Sequence, residues 1–144
     1  MKKLFIFFCL WTVSWVHAQT DWFNILGDPE DEAVNTVEVD PTPVAISADT
    51  RTLRVRVSRS ADRVSRDGVP YRSYVSDVIF DCASSTARHA WTDFYSQPAW
   101  KGEPHKRLLY APGEPRPLQF LEIEPNPYQR IMRAVCQTAS ITSN

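Results

Sequence analysis

The side chains in this chain that could do chemistry are few, and they are poorly spaced for it. Three cysteines and three histidines, with scattered serines and carboxylates, make up the whole supply of nucleophiles and ligands. Cys9 and His17 fall in an amino-terminal segment with the marks of an export signal, which leaves Cys82, Cys136, His89 and His105. A cysteine nucleophile needs a free thiol of depressed pKa. Two cysteines in an oxidising compartment are better read as partners in one cross-link, since a pair allows a single connectivity. His89 and Asp93 are four positions apart, which on a strand puts both on one face but more than about 10 Å from each other. Zinc would need a third and fourth ligand converging on the same point, and no His/Cys/Asp cluster has that spacing. His89 therefore reads as a histidine on a sheet surface, and His105, between Pro104 and Lys106, as a solvated loop residue. Asp77 and Asp81 share a face but are too far apart along a strand for acid/base teamwork. With four glycines there is no phosphate-cradling loop, and no serine sits in a nucleophile elbow. The chain reads as non-catalytic, with no metal site and no cofactor.

Binding chemistry is better represented. Arg51, Arg54, Arg56, Arg59, Arg63, Arg66 and Arg72 make a basic middle, preceded by an acidic stretch of Asp28, Glu30, Asp31, Glu32, Glu38 and Asp40. The plain reading is a solvated strand face and hairpin tip. The sharper one is a docking surface for an acidic partner, or for the acidic stretch of a second copy. Of the aromatics, Trp91, Phe94, Tyr95, Tyr110 and Phe120 are expected in the core, where a small domain needs large apolar volumes. Trp100 stands apart, in the loop-like run Gln97-Pro98-Ala99-Trp100-Lys101-Gly102. Arg54, Arg56 and Trp100 are the candidate binding residues.

The amino terminus says where these residues work. Met1 to Ala18 combines Lys2 and Lys3, an apolar run from Leu4 to Val16 and a Val16-His17-Ala18 step, with cleavage expected between Ala18 and Gln19. The run is shorter than the roughly twenty apolar residues of a membrane span. Cys9 follows Ile6-Phe7-Phe8 rather than the small residues of a lipidation site. The mature chain, residues 19–144, is thus expected to be exported, soluble and not membrane-spanning, as one domain with its core at about 22–136 and a flexible tail at 137–144. Losing Lys2 and Lys3 reduces the 16 basic residues to 14 against 17 acidic, a net charge of −3. That balance argues against a nucleic-acid partner.

The elements that must position these residues follow from periodicity. Trp22 to Leu26 and Thr36 to Val39 are short strand candidates, stopped by Gly27-Asp28-Pro29 and Asp40-Pro41. Leu53, Val55 and Val57 alternate with Arg54, Arg56 and Ser58, the period of a half-buried strand. Asp67-Gly68 reverses the chain into Tyr71–Cys82, which reads as the longest strand, with Tyr74, Val78, Phe80 and Cys82 on one face. Thr86 to Tyr95 and Arg107 to Tyr110 are further strands, and Leu118 to Ile123 adds a little extended chain. Seven of the eleven prolines lie between Pro98 and Pro127, which excludes a long helix or central strand there. A helix follows. Asn126 caps it, Pro127 takes its first position, and Tyr128, Ile131, Met132, Val135 and Cys136 form one apolar stripe. A strand and a helix each present a cysteine on the buried side, and a Cys82–Cys136 bond would clamp the two.

In this order, Trp22, Val39-Asp40-Pro41, the basic strand, Gly68-Val69-Pro70-Tyr71-Arg72-Ser73, Asp81-Cys82, Tyr95 and Ala134-Val135-Cys136, the chain resembles the bacterial surface-adhesin protein E-like family over residues 22–136. The resemblance implies an α+β fold: a bent antiparallel sheet of about six strands with a C-terminal helix packed on the concave face and held by one disulfide. The type member is an outer-membrane adhesin that dimerises and binds host extracellular-matrix and serum proteins, so a protein partner and a possible homodimer are implied here. This chain departs from the type member in having no lipidation cysteine. The expected function is an exported protein-binding module, adhesin-like by resemblance. The alternative is a periplasmic structural or envelope-stress accessory protein.

Overall fold

The structure, a computed structural model, describes residues 21–137. The expected Met1–Ala18 signal, its expected cleavage point between Ala18 and Gln19, and residues 138–144 of the expected tail lie outside the described residues. Eight strands form a single open antiparallel sheet. They are β1 (Phe23–Leu26), β2 (Thr36–Val39), β3 (Ala45–Ser47), β4 (Thr50–Val64), β5 (Pro70–Asp81), β6 (Thr86–Tyr95), β7 (Lys106–Leu109) and β8 (Arg116–Pro117), followed by one helix, α1 (Tyr128–Gln137). The main path runs β1-β2-β4-β5-β6-β7, while β3 pairs with the start of β4 and β8 with the start of β6. The expected six strands are this path, and β3 and β8 are additions too short to show a period.

Alternation on β4 does what the sequence implies. Leu53, Val55 and Val57 are buried on one side, opposite Val78, Ser76 and Tyr74 of β5. The same face continues through Val37 and Val39 of β2 and through Ala87 and Phe94 of β6. Leu118, Phe120 and Ile123 of the proline-rich segment, together with Ile131, Met132 and Val135 of α1, complete the core over it. Asn126 Oδ1 accepts the Tyr128 N–H at 3.0 Å, the expected cap. Cys82 and Cys136 are bonded, with their Cα atoms 5.5 Å apart.

Three readings of the sequence are corrected. The longest strand is β4, at 15 residues, not β5 at 12. Past Ser58 its register jumps to Arg63 opposite Tyr71, and the bulge carries it on through polar residues that look like hairpin tip. Second, His89 and Asp93 do not share a face. Asp77 pairs with Trp91 but Val78 with His89, so Ala90 is an extra residue on β6 that reverses the alternation. His89 therefore faces the core side and Asp93 the other. Third, Gln97–Lys101 is no open loop: Pro98–Trp100 is a tight turn, closed by the Lys101 N–H on the Pro98 carbonyl and laid across the sheet.

Candidate functional site

Residues alternating with the core face of β4, β5 and β6 point to the opposite side, where the Pro98–Trp100 turn lies over Ser58 and Ser73 and no α-helix packs among the described residues. Arg56 lies there, opposite Glu38 of β2, and donates from Nε to Glu38 Oε2 at 2.6 Å. Its guanidinium sits between two indoles, 4.1 Å from the Trp22 ring centre and 4.0 Å from that of Trp100. Trp100 is held firmly. Its backbone N–H donates to Ser73 Oγ at 3.1 Å and its indole N–H to the Tyr74 carbonyl at 3.0 Å. Ala99 and Trp100 both adopt positive φ, 53° and 56°. Such non-glycine residues cost ~1 kcal/mol or more each and persist only where neighbours over-determine them. Ser58 Oγ, accepting the Ala99 N–H at 2.9 Å, is one such neighbour.

A second cluster lies beside the first. Arg54 Nε donates to Asp77 Oδ1 and Trp91 Nε1 to Asp77 Oδ2, both at 2.9 Å. The guanidinium carbons of Arg54 and Arg107 stand 5.6 and 4.8 Å from the Trp91 ring centre. Arg107 is bidentate on Asp93, at 2.6 and 2.5 Å, a hydrogen bond that strengthens its hold on its proton. The carboxylates are sunk in the sheet while the cations ride above them: the side chains of Asp77 and Asp93 are 10% and 9% exposed, those of Arg54 and Arg107 40% and 59%. The result is an outward layer of guanidinium and indole over a buried layer of negative charge. Arg and Trp are the side chains that dominate interface energies.

Of the sequence candidates, Arg54 is on this face and accessible. Arg56 and Trp100 are there too, but locked together and half-buried. Trp22, Trp91 and Arg107 are members that the residue pattern did not single out. In the sequence Trp22 marks only a strand start and the first motif of the family resemblance, and the Ala90 bulge that turns Trp91 outward leaves no mark in composition. The acidic stretch is answered inside the chain, with Glu38 on Arg56 and Glu32 on Lys101. Asp81, the other carboxylate weighed for chemistry, accepts the N–H groups of Ala83 and Ser84 in the β5–β6 turn.

On the core side, Ser76 Oγ donates to the Trp91 carbonyl at 2.5 Å and lies 2.7 Å from His89 Nδ1. With the serine proton committed, the ring is the Nδ1–H tautomer, donating to Ser76. Burial pushes His89 down to about 4. The folded protein thus keeps a neutral ring where the unfolded chain binds a proton, so stability present above pH ~6.5 drains away as the pH falls toward 4. One side of the ring opens on a cleft, where water relieves part of that burial, so the loss is about 2 kcal/mol. Urea melts at pH 7 and pH 4.5 should show this loss, and His89→Gln should flatten it; a wild-type slope unchanged in the variant would remove His89 as its source. Among the described residues no group of three metal-ligating side chains occurs.

An open sheet, one face closed by a disulfide-tied helix and the other dressed with arginine and indole, defines a small α+β domain whose surface elaboration lies on the sheet itself. The family model for surface-adhesin protein E matches residues 22–137, and the chain belongs to that family. No curated protein and no solved structure matches the chain. Membership makes this a surface-adhesin-type protein, and no helix among the described residues is long and apolar enough to cross a membrane.

Proposed function

We propose that this is an exported, non-catalytic module that recognises a protein partner through the arginine–tryptophan face of its sheet. The observation that carries the reading is the pair of guanidinium–indole clusters, Trp22/Arg56/Trp100 and Arg54/Trp91/Arg107, on the sheet side opposite α1, where the Pro98–Trp100 turn covers Ser58 and Ser73 and leaves Arg54 and Arg107 accessible. Rigid, pre-ordered aromatic and arginine side chains lose little entropy on contact. Acidic side chains on a partner would meet Arg54 and Arg107. Self-association through the uncovered edge of β7, where Leu109 is 79% exposed, belongs to the same proposal.

The mature protein should bind at least one member of a panel of extracellular-matrix proteins, with affinity falling as salt rises. Arg54→Gln with Arg107→Gln should weaken binding roughly tenfold or more. Glutamine keeps a donor for each aspartate, and Asp77 also keeps the Trp91 N–H, so the fold survives. Wild-type affinity in the double variant, or no binding across the panel, would end the reading. Protease shaving of intact cells separates a surface role from the envelope-accessory alternative.

A further inference from the structure

On the core side, past the end of the helix-covered region, a cleft of about 290 Å³ opens between the far half of β4 and the segment after β7. Its size is near the lower end of small-molecule sites, ~300–1,000 Å³. Tyr71, Tyr74 and Phe94 form an aromatic wall, with ring centres 5.5 to 6.4 Å apart. Four arginines and two carboxylates line the cleft. Both carboxylates are already taken, Glu122 by Arg63 and Asp67 by Arg116. Arg59 has no such partner: among the described residues no carboxylate lies within ion-pair distance of it. It is only 4% exposed, its Nη2 donates to the Leu121 carbonyl at 2.9 Å, and its Nε has no hydrogen-bond partner. A buried, uncompensated cation is expensive, and burial already pushes Arg59 below the usual guanidinium range.

We propose that this cleft is a binding site for a small aromatic carboxylate, its carboxylate on Arg59 and its ring against Tyr71, Tyr74 and Phe94. The site is independent of the arginine–tryptophan face, because it lies on the other side of the sheet. A charged carboxylate supplies the Arg59 guanidinium with the counter-charge it lacks, through a charge-assisted hydrogen bond. The aromatic wall favours a flat apolar body, and the volume excludes a folded polypeptide segment.

The test titrates the mature protein calorimetrically with benzoate, with its neutral isostere benzamide and with inorganic phosphate. Benzoate should bind saturably at one site, with benzamide and phosphate each at least roughly tenfold weaker. Arg59→Gln, checked for folding by its thermal melt, should lose benzoate by a similar factor. Should that variant fail to fold, the benzoate–benzamide comparison on the wild type decides alone. Absence of saturable benzoate binding, or benzamide or phosphate binding as well as benzoate, overturns the proposal, as does a folded Arg59→Gln that binds benzoate like the wild type.

Discussion

Replacing Cys82 and Cys136 with serine should lower the stability of the domain by ~4 kcal/mol and its melting temperature by about 15 °C. The bond spans 54 residues, so the open chain regains the freedom of a long loop when it is removed. The native side of the balance is weak there as well. The helix has ten residues, too few to persist alone in water, and its hold on the sheet is the short stripe of Ile131, Met132 and Val135. Arg130 Nη1 adds one hydrogen bond to the Ile25 carbonyl at 2.9 Å. Loss of helical circular dichroism should precede sheet melting in the serine variant. A double variant melting within about 2 °C of the wild type would contradict this account, as would protein from its native setting whose two thiols alkylate without reductant.

Arg56→Ala should cost about 3–4 kcal/mol, several times the loss from Arg54→Ala, which should stay near ~1 kcal/mol. Both arginines sit on the same face of β4 and both bind a carboxylate, so the contrast comes from their surroundings. Arg56 is clamped between two indoles above Glu38, whose side chain is 4% exposed and has no other ion-pair partner among the described residues. Removing the cation leaves a buried, uncompensated carboxylate and a gap between Trp22 and Trp100. Asp77, by contrast, keeps the Trp91 N–H when Arg54 is cut back. Urea denaturation of the two alanine variants measures the difference, and Arg56→Leu combined with Glu38→Leu should recover most of the loss. Equal costs for the two arginines would show that the clamp adds nothing. The two residues thus divide, Arg54 toward contact and Arg56 toward architecture.

Much of this molecule could be read before its coordinates. Strict alternation from Leu53 to Ser58, the Asn126-Pro127 helix start and two cysteines on apolar stripes are local patterns, and local patterns survive in a sequence. What escaped the reading depends on partners distant in the chain. β3 and β8 exist only because β4 and β6 offer them free edges. The Ala90 bulge, which turns Trp91 and Asp93 away from the core, is set by pairing with β5. Arg54 and Arg56 look alike along the strand, and only Trp22 and Trp100 converging on one of them makes them different. The cleft at Arg59 was invisible for the same reason, since its walls come from three separate stretches of chain.

The two sulfur atoms also impose an order of events. A chain threaded through a membrane pore amino end first delivers Cys82 well ahead of Cys136, with every strand of the sheet lying before the second cysteine. In such a passage the strands can pair before the clasp closes, because the bond needs α1 in place to bring Cys136 to its 5.5 Å Cα separation from Cys82. Closing the bond would then be the last event of folding, joining a helix that has already docked.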